Sequence, residues 1–243
     1  ASYADLGIAA WNYKRYYASW NGSYPSVVES VDLPLDINWS IEEPNPADGK
    51  YKYVITARDR AGNETVITRE VRVDTNAPVI TLTSPNTNTW YGSTSVNLSG
   101  NANDGTGSGV SAFNYTIVGG AKGAVPANPE TWTAFDGTQF TAGTGELNAS
   151  ITAAAQGVNT LWVYITDTDG NTKTEGYEFK VDTEAPVLGI TDGTTTRNLT
   201  TTDTGIVFSG TATDSAALKN VIISLNGTNI EPPITSFTGT NND

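Results

Sequence analysis

Six aspartates stand at recurring places in this chain, and they are the residues best able to do chemistry: Asp59 and Asp167, Asp74 and Asp182, Asp104 and Asp214. Asp59 opens the segment Asp59-Arg-Ala-Gly62-Asn63, and Asp167 opens Asp167-Thr-Asp-Gly170-Asn171. Asp74 and Asp182 open Asp74-Thr75-Asn-Ala-Pro78 and Asp182-Thr183-Glu-Ala-Pro186. Oxygen donors from Asp, Asn and backbone carbonyls are what a hard cation such as Ca2+ takes as ligands. Each segment also has a purely structural reading. An Asp side chain accepts hydrogen bonds from turn amides, and Gly and Asn tolerate positive φ, so Asp-x-x-Gly-Asn reads as a hairpin turn. Proline favours an extended residue before it, so Asp-Thr-x-Ala-Pro reads as a stiff junction.

Much other chemistry is closed to this sequence. It has no His and no Cys, hence no imidazole base, thiol, disulfide or usual zinc site. It carries no Gly-rich phosphate loop and no Gly-x-Ser-x-Gly elbow, so the chain reads as non-catalytic. A net charge of −13 repels nucleic acid and anionic lipid, while suiting cations. No run approaches the roughly 18 apolar residues of a membrane span. The first residues, Ala-Ser-Tyr-Ala-Asp, do not read as a signal peptide. Asp167 and Glu178 mimic the two ends of an EF-hand loop, but Thr172 stands where that loop needs Gly, and the flanks read as strands.

The elements that must position the aspartates show in the repeat. Tyr53-Val-Ile-Thr-Ala-Arg-Asp59 recurs as Leu161-Trp-Val-Tyr-Ile-Thr-Asp167, and Val73-Asp74-Thr75 recurs as Val181-Asp182-Thr183, each 108 positions on. Val96-Asn-Leu98-Ser99-Gly100 corresponds to Ile206-Val-Phe208-Ser209-Gly210, and Trp11-Asn12-Tyr13 to Phe113-Asn114-Tyr115. The chain therefore divides into 1–76, an N-terminally incomplete copy; 77–184, a complete copy; and 185–243, a C-terminally incomplete copy. Within each copy apolar residues alternate, as at Tyr53, Ile55 and Ala57, or Leu161, Val163 and Ile165. That is the period of a strand with one face in a core. Trp162 and Tyr164 fall on the opposite face. There they either pack against neighbouring strands or offer exposed rings to a sugar or protein. About seven strands per copy, joined by Gly, Asn, Asp, Thr and Pro clusters, predict an all-β chain of tandem immunoglobulin-like β-sandwich repeats, end to end.

With these residues in view, the copies resemble the bacterial Ig-like modules that form long arrays in large surface adhesins. The likeness rests on Gly49-Lys-Tyr51-Lys-Tyr53 through Asn63, followed by Val73 through Pro78, and again on Leu161 through Pro186. Asp169 stands where that family usually has Ala. The resemblance implies a secreted or cell-surface protein, a stalk, spacer or adhesive role, and neighbouring Ig-like repeats as partners. It also implies Ca2+ near module junctions, as in some members, with Asp74 and Asp182 as junction ligands, Asp59 and Asp167 facing the cation, and the loops of Asp104 and Asp214 contributing. Two alternatives stand beside it. The incomplete end copies suit a filament or surface-layer subunit that exchanges strands with copies of itself. Trp162 and Tyr164 suit a carbohydrate-binding accessory module directed at a host or cell-surface glycan.

Overall fold

The structure is a computed structural model, and it describes residues 7–20, 22–33, 40–142, 144–190, 210–214, 218–225 and 227–229. Apart from one short 3-10 turn, Pro129–Thr131, the regular structure is strand, as the alternating pattern predicts.

The first four strands are β1 (Ile8–Ala18), β2 (Val27–Leu33), β3 (Gly49–Asp59) and β4 (Glu64–Val73). They form one antiparallel sheet in the order β2-β1-β3-β4. Tyr13 lies opposite Ile55, and Ile55 opposite Ile67, so these side chains share a face. Tyrosines crowd the same face. Tyr17 and Tyr51 have ring centroids 5.2 Å apart. Their hydroxyls donate to the carbonyls of Asp48 and Ala47 at 2.8 and 2.9 Å, which gives each apolar ring a satisfied polar tip.

Nine strands follow: β5 (Val79–Ser84), β6 (Trp90–Tyr91), β7 (Ser95–Asn103), β8 (Val110–Gly119), β9 (Thr133–Ala134), β10 (Phe140–Thr141), β11 (Glu146–Thr152), β12 (Gly157–Asp167) and β13 (Thr172–Val181). They form two sheets, β10-β11-β7-β5 and β6-β13-β12-β8-β9. This partition, with a first strand split between the sheets, is that of an immunoglobulin sandwich. The short β6 runs parallel to the end of β13. Val96, Leu98, Leu147 and Ile151 from one sheet meet Phe113, Leu161, Val163, Ile165, Phe179 and Val181 from the other, all at most 2% exposed. Phe113 and Phe135 pack with centroids 5.0 Å apart, and Tyr115 stacks on Phe135 at 4.4 Å.

The first sheet repeats the second of these sheets in register. Tyr13 opposite Ile55 is matched by Tyr115 opposite Val163, and Ile55 opposite Ile67 by Val163 opposite Glu175. A third group starts with β14 (Val187–Ile190) and β15 (Gly210–Thr213), followed by β16 (Ser224–Leu225) and β17 (Thr228–Asn229). In it Leu188 lies opposite Ala212, just as Ile80 lies opposite Ala102 in the β5–β7 pair.

The sandwich core sets a stability expectation. Leu161 is fully buried on the central strand, so Leu161→Ala should cost about 2–5 kcal/mol through lost burial and the cavity left behind. Urea unfolding followed by tryptophan fluorescence measures this.

Candidate functional site

The Asp-x-x-Gly-Asn segments form the same turn twice. At Asp167 one carboxylate oxygen, Oδ1, accepts the backbone N–H groups of Asp169, Gly170 and Asn171 at 2.9, 2.6 and 2.8 Å. The other, Oδ2, accepts the Asn171 side-chain amide at 2.8 Å. Asp59 does the same with Ala61, Asn63 and the Asn63 amide, at 2.9, 2.8 and 2.7 Å. Gly62 and Gly170 sit at φ 92° and 98°, a region in which any other L-residue is strained. The bonds from the Asn63 side chain and backbone hold the Asp59 carboxyl below the usual carboxylate range. Because strands flank both turns, no EF-hand is formed, and Glu178 instead accepts the backbone N–H of Lys122 at 2.5 Å.

What separates the two turns is their neighbours. Asp167 is only 2% exposed, and Asn171 also donates from its side chain to the Asp74 carbonyl at 3.0 Å. The Asp74 carboxylate accepts the Ser108 backbone N–H at 2.6 Å. Ser108 lies in the 104–109 loop, which is knit to the turn because Ser108 Oγ accepts the Asp169 N–H at 3.2 Å and the Gly109 carbonyl accepts the Thr168 N–H at 2.9 Å. The junction residue of the first unit is thus seated on two loops of the second. At its own end the junction is clasped by the first unit: Asp48 accepts the Thr75 N–H and hydroxyl at 3.1 and 2.9 Å, and the Asn76 amide. Gln156 holds Thr183 in the same place one repeat later.

This seating brings three carboxylates together. Asp74, Asp104 and Asp167 each offer an oxygen, and these atoms lie within 4.8 Å of one another. Asp104 Oδ2 accepts the Gly109 N–H at 2.7 Å, while Asp104 Oδ1 is buried with no hydrogen-bond partner. Gly107 walls the cluster: a Cβ there would come within 2.4 Å of Asp104 Oδ2 and 2.7 Å of Asp74 Oδ2. Burial pushes Asp104 above the usual carboxylate range, and the charges of Asp74 and Asp167 add to it, against the Gly109 hydrogen bond. Burial acts on Asp74 in the same sense, but hydrogen bonds from Ser108 and Asn76 outweigh it and leave its carboxyl lowered. Hard oxygens, one of them unpartnered, in a space that tolerates no side chain at residue 107, fit a cation such as Ca2+. Among the described residues the ion pairs lie within residues 15–64, so no Lys or Arg neutralises the cluster.

Of the six aspartates read from the sequence, these three come together. Asp59 lies at the far end of the β3–β4 hairpin from Asp74, because Gly49 pairs with Val73. Asp182 accepts the Glu184 N–H at 3.1 Å, as Asp74 accepts that of Asn76, and Asp214 follows β15. Among the described residues Asp59, Asp182 and Asp214 join no such cluster. Sequence reading missed Gly107, Ser108 and the Asp48 clasp. The run Asp104-Gly-Thr-Gly-Ser-Gly109 was the available signal, since so many glycines admit close approach by other groups.

The aromatic pair requires a correction. Trp162 does face away from the core, but it is only 4% exposed and offers no open stacking face. It sits on the central strand opposite Gly176 and Thr116, its ring fills the space above Gly176, and Lys122 Nζ lies 5.7 Å from the ring centroid. Tyr164 is half-buried.

No family model matches the chain, and no curated protein matches it. Solved structures similar to the chain at a low level include the following two. Fibronectin(III)-like modules of Clostridium thermocellum CbhA are 15% identical, with a TM-score of 0.29 over 69% of this chain and 78% of theirs. A structure concerned with host cell surface retention of a 1.5-MDa bacterial ice-binding adhesin is 16% identical, with a TM-score of 0.34 over 91% of this chain and 71% of that one.

Two expectations follow from the geometry. Gly107→Ala should destabilise by about 1–3 kcal/mol through overpacking against the carboxylates, whereas Gly123→Ala, where a Cβ meets nothing within 4 Å, should stay within about 0.5 kcal/mol; urea midpoints compare them. The raised carboxyl of Asp104 binds its proton more tightly folded than unfolded, so in chelator its contribution to stability falls as pH rises through the folded value, while the lowered Asp74 contributes the opposite slope. Asp104→Asn should therefore remove a loss of stability on going from about pH 4 to 7 in chelator, read as the urea midpoint at each pH.

Proposed function

We propose that this chain is a non-catalytic array of stiff Ig-like units from a secreted or cell-surface protein, acting as a stalk or adhesive region, with Ca2+ held between consecutive units. The observation that carries this reading is the position of Asp74. It leaves the last strand of one unit, and its carboxylate comes to rest with Asp104 and Asp167 of the next. A cation bound there would link the two units through both sets of ligands and stiffen the junction. Asp104 Oδ1 is the ligand with a free lone pair, and the remaining oxygens of Asp74 and Asp167 complete an all-oxygen set.

Several features support a spacer over an enzyme. The sequence supplies no imidazole or thiol. A hollow of about 640 Å3 lies away from the cluster, lined by Thr81, Thr83, Ser99, Asn101 and Asn148, with Glu146 as its carboxylate. One carboxylate does not make the acid–base pair that glycoside hydrolysis needs. The repeat itself favours length: a chain of like units held by nearest-neighbour contacts keeps its extension. A carbohydrate-binding role loses its main pointer with the burial of Trp162.

Calcium titration tests the reading. Calorimetry should show one site with a Kd of about 10⁻⁴–10⁻³ M, the range of extracellular calcium modules. At ten times Kd the thermal midpoint should rise by a few degrees over that in chelator. Asp74→Asn and Asp104→Asn should each abolish the rise, whereas Asp59→Asn should not. Equal melting in millimolar Ca2+ and in chelator would remove the proposal.

A further inference from the structure

Eight of the 13 Lys and Arg lie within residues 1–76, and four of these gather on one face of the β2-β1-β3-β4 sheet. Tyr13 and Ile55 point to the inner side. Alternation therefore turns Lys14 and Tyr16 of β1, Lys50 and Lys52 of β3, and Glu70 and Arg72 of β4 to the outer side. Tyr16, Lys52 and Glu70 form one cross-strand row, and Lys50 stands directly opposite Arg72. Like charges directly opposite on neighbouring strands destabilise a sheet. Lys14 pairs with Val54, which makes it a diagonal neighbour of Lys52.

Among the described residues no carboxylate pairs with these four cations: the ion pairs are those of Arg15 with Glu29 and Glu43, and of Arg58 with Glu64. Aromatic rings and a carbonyl hold the cations instead. Lys52 Nζ lies 4.3 Å from the Tyr16 ring centroid and 4.6 Å from that of Tyr24. The Arg72 guanidinium lies 6.0 Å from the Trp20 centroid, and Lys50 Nζ donates to the Gly22 carbonyl at 3.0 Å. Glu70, opposite Lys52, faces the Tyr24 hydroxyl. A ring face orients a cation without cancelling its charge. Lys14 is exposed beside this group.

The second unit shows that the fold itself does not ask for these charges. Lys14, Lys50 and Lys52 correspond to Thr116, Val158 and Thr160, and Tyr16 to Val118, in the same register. Arg72 and Glu70 keep their kind, as Lys180 and Glu178. An unneutralised cationic face in a chain of net charge −13 points to an anionic partner. The same net charge selects among such partners. A nucleic acid or a lipid surface extends past the face and meets the acidic remainder of the chain. A short ligand confined to the face feels chiefly the local cations, because charges more than about 8 Å away are screened at physiological salt. Half-buried Tyr16, Trp20 and Tyr24 add apolar surface that suits the C–H groups of a sugar.

We propose that this outer face binds an acidic oligosaccharide, whose carboxylate or sulfate groups lie between Lys50, Lys52 and Arg72, with Lys14 extending the track. An anion there relieves the opposition of Lys50 and Arg72. The site is separate from Trp162 and from the aspartate cluster, and calcium takes no part in it.

Calorimetric titration of the chain in chelator, where calcium cannot bridge acid to acid, tests it. The probes are a short oligogalacturonate, which carries carboxylates, and a short dextran sulfate. One or both should bind, identifying the acid group, and uncharged malto-oligosaccharide should not. Raising NaCl from about 50 mM to about 500 mM should weaken binding at least tenfold. Lys50→Val with Lys52→Thr installs the residues that the second unit carries there, so the chain should stay folded by its urea midpoint while binding weakens at least tenfold. Lys52→Arg should retain binding. Glu70→Gln, which removes the opposing carboxylate, should tighten it, and Arg58→Thr at the far end of β3 should leave it unchanged. No binding of either acidic oligosaccharide, binding indifferent to the paired Lys50 and Lys52 substitutions, no tightening by Glu70→Gln, or equal binding of a short single-stranded DNA of matched charge would overturn the proposal.

Discussion

A strand with one apolar face has to set that face against another sheet, and in a chain with only 37% hydrophobic residues there is little to spare for any other core. Residues 79–181 meet this constraint fully, with Leu98, Leu161, Val163, Ile165 and Phe179 all at 0% exposure. The sheet of residues 8–73 meets it with aromatic rings, folding Tyr13, Tyr17 and Tyr51 over its own surface and tying the hydroxyls of Tyr17 and Tyr51 to nearby carbonyls. Elsewhere its inner face stays open, at Ile67 and Val71. The β14–β15 pair leaves Leu188 and Ile190 in water. Burial of one sheet face by another thus accounts for both the dry core and the exposed apolar surfaces.

Once the sheets are placed, the turns at their ends decide the polar chemistry. The Asp-x-x-Gly-Asn turn satisfies its own carboxylate with local N–H groups, so it forms in the first unit at the surface and in the second beneath the junction. Position alone makes Asp59 a half-buried turn residue and Asp167 a fully buried one. The junction is held from both sides, by Asp48 behind Thr75 and by Ser108 and Asn171 ahead at Asp74. Burial, and behind it repulsion from Asp74 and Asp167 in the same space, raises the carboxyl of Asp104, the member with an unpartnered oxygen. The same oxygen is what a bound cation would use first.

The all-β class, the alternation of strand faces and the form of the two turns were legible in the sequence because each is local. A period of two writes itself into successive residues, and the turn needs only Asp, Gly and Asn at fixed spacing. The constant offset of 108 positions, and the Pro after each Asp-Thr, placed the same segments in equivalent settings without any coordinates. Only the tertiary structure decided which aspartates meet. Asp74, Asp104 and Asp167 are far apart in sequence, and their approach depends on how one unit's end seats on the next unit's loops. It also decided the fate of Trp162: alternation fixed the face it points to, but its burial comes from Gly176 beside it and Lys122 above it. Direction is a property of one strand, whereas exposure depends on what neighbouring strands and loops place alongside it.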